Sequence, residues 1–330
     1  MKKPGISLLF LLLMFLVSCS AQVPGCLDPL ANNFNPDASE DDGSCTYDPV
    51  ALAPLWSCPL QEALGESSGL IFYDGKLWTH NDDLDTRLYL LDTICNPVMR
   101  RYVNLEGVVN TDWEEISQDR EYIYLGDLGN NLSGDRSDLH ILRIEKESLQ
   151  TENQIIDTIY FSYGDQYDLS PTAPNQTEFD CEAFVVTEDS IYLFTKQWTT
   201  FRCSLYSIPK RPGSHTANRL GEFNARGLIT GASYNESMNL LVLCGYSSVM
   251  QPFFYLLYDF RDKQFFSGNK RRIELLLPLH QVEAVASRDG LFYYVTNESF
   301  ALSSELINEQ KLHLFDLTEF VPENLRALMK

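Results

Sequence analysis

The sequence predicts an all-β protein, a β-propeller of five counted repeats (five or six blades of about four antiparallel strands), and three observations carry that expectation. From Glu66 onward one pattern returns five times: a polar or acidic residue, a short apolar strand, a turn, and a second apolar strand that ends in polar groups. Gly, Asn and Asp punctuate the gaps, as hairpins require. No long stretch sustains an apolar period near 3.6 residues, so helix content should be low. Recurring four-stranded units of roughly 40 to 50 residues are the mark of propeller blades. One blade cannot bury both faces of its sheet, whereas a ring of them can. A two-sheet sandwich with coincidental repetition is the competing reading.

The five copies begin at Ser68, Glu114, Glu182, Thr230 and Glu283, at spacings of 46, 68, 48 and 53 residues. Their second strands run over 77–81, 122–127, 190–196, 240–246 and 291–297. The long spacing holds an insertion, Gly164 to Gln176, rich in Asp, Pro, Ser and Asn. Further strand-like runs follow each pair, among them 88–91, 140–144, 155–163, 254–258 and 311–315. The run from Ala53 to Leu60 is expected to pair with the last blade and close the ring. A sixth, degenerate blade stays open.

Ahead of the repeats, residues 1–18 read as an export signal. Lys2 and Lys3 give the positive start, and the apolar run from Ile6 to Val17 is shorter than the roughly 20 residues a membrane span needs. Leu16-Val17-Ser18-Cys19 resembles a bacterial lipobox, which implies cleavage before Cys19 and a lipid on its thiol. Ordinary cleavage after Ala21 is the alternative. The domain plan is therefore a signal over 1–18, a tether with a small acidic module over 19–50, and the propeller over 51–330. The expected location is outside the cytoplasm: an outer-membrane lipoprotein facing periplasm or cell surface, otherwise a secreted protein.

Loss of Lys2 and Lys3 takes the formal charge from -21 to -23. That balance argues against nucleic acid, whose phosphates need Lys and Arg, and leaves membrane contact to the lipid anchor alone. It favours divalent cations or basic partners. With 17 Tyr and 19 Phe the chain is no disordered acidic tail. Of eight cysteines, Cys26 and Cys45 bracket one compact segment and form the best disulfide candidate. Cys58 with Cys95 is plausible if the N-terminal strand lies beside the first blade. Cys181, Cys203 and Cys244 read as buried apolar residues.

The bracketed segment, GCLDPLANNFNPDASEDDGSC over 25–45, gathers oxygen-bearing side chains. Asp37, Ser39 and Asp41 sit at alternate positions, as in loops that wrap a hard cation, and make a second calcium candidate. Asp42 stands where a helix-loop-helix calcium loop needs glycine, and Gly43 comes one residue late. A stapled stalk with solvated acids is the plainer reading. The segment resembles a short Cys-framed repeat of surface and secreted proteins of Gram-negative bacteria, which implies an extracytoplasmic setting and a disulfide.

In an antiparallel pair the start of strand one and the end of strand two share a face. One channel rim should therefore gather Ser68, Asn81 and Asp82, then Glu114 and Asp127, Glu182 and Lys196, Thr230 and Tyr246, and finally Glu283, Asn297 and Glu298, with His80 and His280 close in sequence. Converging carboxylates repel one another unless a cation compensates. Lys196 is one candidate partner. Calcium, which takes six to eight oxygen ligands, is the cofactor candidate, with Glu114, Asp127, Glu182, Glu283, Asn81 and Asn297 as its ligand set. Strand capping by these same groups is the alternative. Trp78, Trp113 and Trp198 read as core fillers between blades. No nucleophile elbow, phosphate loop or zinc signature occurs.

The phrases SGLIFYDGKLWTHNDD, NTDWEEISQDREYIYLGDLGNN, FDCEAFVVTEDSIYLFTK and QVEAVA resemble a family of exported bacterial propellers, similar to those called phytase-like or esterase-like and more distantly to calcium-dependent lactonases. The resemblance implies a channel-mouth site at Glu114, Asp127, Glu182 and Glu283. Ser68 and Thr230 depart from a richly acidic site of that kind. Two functions are expected from this sequence. One is a surface-anchored binding protein whose rim takes a small molecule, glycan or protein. The other is a calcium-dependent hydrolase of phosphate esters or lactones, with a carboxylate or His80 as base.

Overall fold

The computed structural model describes residues 22–83, 85–94, 99–302 and 305–329. Five units of four antiparallel strands follow in chain order. Blade 1 comprises Ser67–Tyr73, Lys76–Asn81, Arg87–Leu91 and Met99–Asn104. Blade 2 comprises Trp113–Gln118, Tyr122–Asp127, His140–Glu145 and Ile156–Tyr163. Blade 3 comprises Asp180–Val186, Ser190–Lys196, Cys203–Pro209 and Gly213–Phe223. Blade 4 comprises Leu228–Asn235, Leu240–Tyr246, Pro252–Tyr258 and Asn269–Leu275. Blade 5 comprises Val282–Ser287, Phe292–Asn297 and Lys311–Asp316, completed at its outer edge by Trp56–Pro59.

The first strands of blades 1 to 5 neighbour one another in sequence order, and that of blade 5 returns to blade 1. The ring therefore has five blades, not six. Trp56–Pro59 pairs antiparallel with the last strand of the chain, so the N-terminal run closes the ring as expected. The packing repeats the count. There are five apolar cores, each lying between two adjacent blades, and the fifth joins Leu70, Leu77 and Leu91 of blade 1 to Ala284, Ala286 and Leu312 of blade 5. Strands covered on both faces are mostly apolar, and Asp180–Val186 and Leu240–Tyr246 are buried at every residue, Asp180 and Glu182 included. Trp78 and Trp113 fill the core between blades 1 and 2.

Two additions were not visible in the repeat pattern. The eleven-residue outer strand of blade 3 outruns its own blade. Its first half pairs in parallel with Ile156–Tyr163 of blade 2, fusing the two blades into one eight-stranded sheet. Ala51–Leu52 adds a fifth, parallel strand to blade 4. Among the described residues helix is confined to short turns at Glu62–Leu64, Thr318–Phe320 and Glu323–Arg326, and none is long and apolar enough to cross a membrane.

The Cys-framed module is held by a Cys26–Cys45 disulfide and by a short parallel pair, Pro24–Gly25 with Glu40–Asp41. It docks on blade 4, where Asp28 accepts hydrogen bonds from Tyr47 (2.6 Å) and Tyr258 (2.5 Å), and Arg261 reaches Glu40. Cys58 is disulfide-bonded. The expected partner Cys95 and the lipidation candidate Cys19 lie outside the described residues. Cys181, Cys203 and Cys244 are free and buried.

Candidate metal centre at the channel mouth

Each blade breaks the ladder between its first two strands at the same place. In blade 1 Ser68 and Gly69 face a single residue of the second strand. Glu114, Glu182, Thr230 and Glu283 are each the unpaired residue of a bulge in blades 2 to 5. A bulge bends the strand and re-aims a side chain. Here it occurs five times around one axis, at the five positions where the sequence repeats its polar residue. The second strands end beside these bulges at Asn81, Asp127, Lys196, Tyr246 and Asn297, so both sets share one face.

Three carboxylates converge. Glu114, Asp180 and Glu182 are all buried and offer oxygens within 4.8 Å of one another, about twice a Ca–O bond of roughly 2.4 Å. The three carboxylates could hold one ion between them. Asp180 is held by the backbone N–H of Asn130 and the indole N–H of Trp198, both at 2.7 Å. Gly129 makes the approach of blade 2 sterically feasible. A Cβ there would lie 2.1 Å from Asp112 Oδ2 and 2.3 Å from Glu114 Oε1. A second group, Glu66, Asp82 and Glu298, forms where blades 1 and 5 meet, and one oxygen of Asp82 is buried without a partner.

The counter-charge is thin. Lys196 donates to Glu182 at 2.6 Å, with 5% and 3% of the two side chains exposed, and its ammonium lies 4.6 Å from the Trp198 ring centre. Burial pulls Lys196 down, but Glu182 and then Tyr246 and Glu283 outweigh it and hold the ammonium charged. Burial drives the pKa of Glu114 well up, reinforced by Glu182 and Asp112. Glu283 is pushed up to about 8, chiefly by burial and against the pull of Lys196. Burial likewise lifts Asp82 to about 7 and Asp112 to about 6. Glu114 and Glu283 are 6% and 4% exposed, and no hydrogen-bond donor among the described residues reaches either carboxylate.

Of the six residues expected to ligate a cation, the structure brings Glu114 and Glu182 together and sets Glu283 within electrostatic reach of Glu182 and Lys196. Asp127 lies in neither converging acidic group among the described residues. It is ion-paired with Arg136 at 2.6 Å and accepts the Thr111 N–H. The side-chain N–H groups of Asn81 and Asn297 donate to backbone carbonyls, of Ala63 and of Glu298 and Glu309, while Asn297 Oδ1 meets His313 Nε2 at 2.8 Å and Asn81 Oδ1 is buried without a partner among the described residues. His80 is fully buried, with its pKa lowered to about 4 by desolvation, so it is sealed from the mouth. Trp198 is half-buried beside Lys196 and Asp180 at the mouth, which corrects its reading as a core filler. In the module, Ser39 accepts the Val23 N–H and Asp41 accepts those of Gly43 and Leu27. Asp37, Ser39 and Asp41 lie in neither converging acidic group among the described residues.

The decisive missed residue is Asp180. Its signal was present: Asp112 and Asp180 stand two residues before Glu114 and Glu182, and Glu66 stands two before Ser68. Positions i and i+2 share a strand face. Glu115 was also missed. It is fully buried and accepts the N–H groups of Ile116 and, across the channel, Ala232 of blade 4, at 3.0 and 2.9 Å.

No protein-family model matches this chain, and no curated protein matches it in sequence. Among solved structures it is similar to a Thermus thermophilus protein assigned as an oxidoreductase (glucose dehydrogenase), at 9% identity and TM-score 0.45, over 78% of this chain and 99% of that one. It is similar to a streptogramin B lyase at 10% identity and TM-score 0.41, over 79% and 96% of the two chains. A chain of a mitotic checkpoint complex gives 10% and 0.38, over 80% and 94%. Likenesses at this level carry no function across, and the propeller assignment rests on the five closed blades and the five cores between them.

Proposed function

We propose that the channel mouth is a divalent-cation site, calcium by the hardness of its oxygen donors, and that the propeller is an exported, surface-anchored binding protein presenting this site to a small molecule, glycan or protein. One observation carries the reading: buried Glu114 and Glu283 have no hydrogen-bond donor among the described residues, and they share a mouth with Asp180 and Glu182, where Lys196 is already paired with Glu182. Buried carboxylates left in that state either take up protons or recruit a cation. The disulfide of the module supports an oxidising compartment. Thermal melting with calcium and with EDTA tests the site. Calcium at about 100 times its Kd should add roughly 2.7 kcal/mol, a rise on the order of 5 °C, and Glu114→Gln should abolish it. An unchanged melting temperature in calcium would refute the reading.

A hydrolytic reading has one observation in its favour: Glu283, with its pKa near 8, titrates close to neutrality beside the carboxylate cluster, as a general base does. A bound divalent ion would polarise a substrate oxygen there. Calcium-dependent turnover of a phosphomonoester or a lactone, lost in Glu182→Gln, would establish it, and absence of turnover at full calcium occupancy would exclude it for those substrates.

A further inference from the structure

The loops that share the mouth face differ in charge from those at the other end. The connections from second to third strands and from each blade to the next (residues 60–66, 82–86, 105–112, 128–139, 164–179, 197–202, 224–227, 247–251, 276–281 and 298–310) hold fifteen Asp and Glu, three Arg and no Lys. The loops of the opposite face hold twelve acids and seven Lys and Arg. Of the three arginines on the mouth face, Arg136 is paired with Asp127 and Asp138, and Arg202 with Glu222.

The same face exposes Val109 between blades 1 and 2 and, on opposite sides of the ring, two groups of apolar side chains. Over blades 2 and 3 stand Leu132 (73% exposed) and Tyr167 (92%). Their loops are tied together by Thr172 N–H to Ser133 O at 2.7 Å and Asn175 N–H to Asn131 O at 2.8 Å. Over blades 4 and 5 stand Val249 (72% exposed) and Leu279. Their loops are tied by Leu279 N–H to Met250 O at 3.0 Å. Exposed apolar groups rimmed by charge mark interaction surfaces, and an acidic field selects a basic partner and speeds its approach.

We propose that this face docks a basic segment of a partner protein, with Lys or Arg side chains over the acidic mouth and flanking apolar side chains on the Leu132–Tyr167 and Val249–Leu279 groups. The inference rests on the reading of the mouth as a binding site and does not require a metal. The probe is a labelled heptapeptide with three arginines at its centre and two leucines at each end, followed by fluorescence anisotropy with the full chain at 0.15 M salt in EDTA. The comparison peptide replaces the leucines by serines, and two variants, Leu132→Ser/Tyr167→Ser and Val249→Ser/Leu279→Ser, keep every charge. The expected result is that the serine peptide binds at least tenfold more weakly and each variant loses at least fivefold for the leucine peptide. Equal binding of the two peptides, or unchanged affinity in both variants with folding verified by circular dichroism, would overturn the proposal. Because the assay runs in EDTA, a failure to bind calcium sinks the metal reading alone, whereas calcium binding with flank-independent peptide binding sinks this one alone.

Discussion

Blades 1 and 4 and blades 2, 3 and 5 carry the same bulge and use it differently. In blades 1 and 4 the bulged residue is a hydroxyl, and it donates across the blade junction: Ser68 to the Glu114 carbonyl at 2.8 Å and Thr230 to the Val282 carbonyl at 2.6 Å. In blades 2, 3 and 5 the bulged residue is a glutamate, which when ionised can only accept. Glu182 finds Lys196, while Glu114 and Glu283 find no donor among the described residues. The backbone device belongs to the fold, and the side chain decides whether it rivets two blades or charges the mouth. Glu115 sharpens the contrast. One residue along from Glu114, it lies inside the channel with its oxygens satisfied by backbone N–H groups of blades 2 and 4.

The largest break in that comparison is Lys196→Met. It removes the ion-pair partner of buried Glu182, whose pKa burial drives well up against the pull of Lys196, and should cost up to about 3–5 kcal/mol in EDTA, read from urea denaturation, while calcium recovers much of the loss and binds more tightly with the competing ammonium gone. A variant as stable as the parent in EDTA would show that Glu182 is not held ionised by Lys196.

A smaller effect comes from pH. The folded pKa of Glu283 is raised from 4.5 to about 8, mainly by burial. Between those values the folded state holds a proton that the unfolded chain releases, so the metal-free protein loses stability as pH rises through that window. At about 1.36 kcal/mol per unit the upper bound over the whole window is about 5 kcal/mol, part of which falls outside pH 5 to 8. Denaturation midpoints in EDTA at pH 5, 6.5 and 8 should fall in that order, and Glu283→Gln should flatten the trend. A slope identical in parent and variant would remove Glu283 from the account.

Smallest are the rivets. Ser68→Ala and Thr230→Val each delete one inter-blade hydrogen bond and should cost about 1 kcal/mol, with the calcium response intact. Loss of calcium binding in either would mean that the hydroxyl bulges belong to the site as well.

Much of this arrangement is legible in the amino-acid sequence. A bulged residue has no partner in the ladder, so the apolar pattern breaks there, and the breaks at Ser68, Glu114, Glu182, Thr230 and Glu283 mark the bulges one for one. Closure by Trp56–Pro59 is legible for a related reason, since a strand-like run outside the repeats must cover an open edge. Contacts made from outside the first two strands of a blade are not. Arg136 reaches Asp127 from the long connection between the second and third strands of blade 2, and His313 Nε2 meets Asn297 Oδ1, so strand register alone makes these two look like free mouth ligands. The parallel join of blades 2 and 3 needs only an overlong strand, and length of strand is poorly marked in a polar run such as Gly213–Phe223.

Calorimetric titration of calcium into the full chain at pH 7.5, in two buffers of different ionisation enthalpy, tests the central claim most directly. Carboxylates that hold protons when empty must release them to a cation. The account predicts saturable binding with net proton release, lost in Glu114→Gln and reduced in Glu283→Gln. Binding without proton release, or equal binding in both variants, would contradict it.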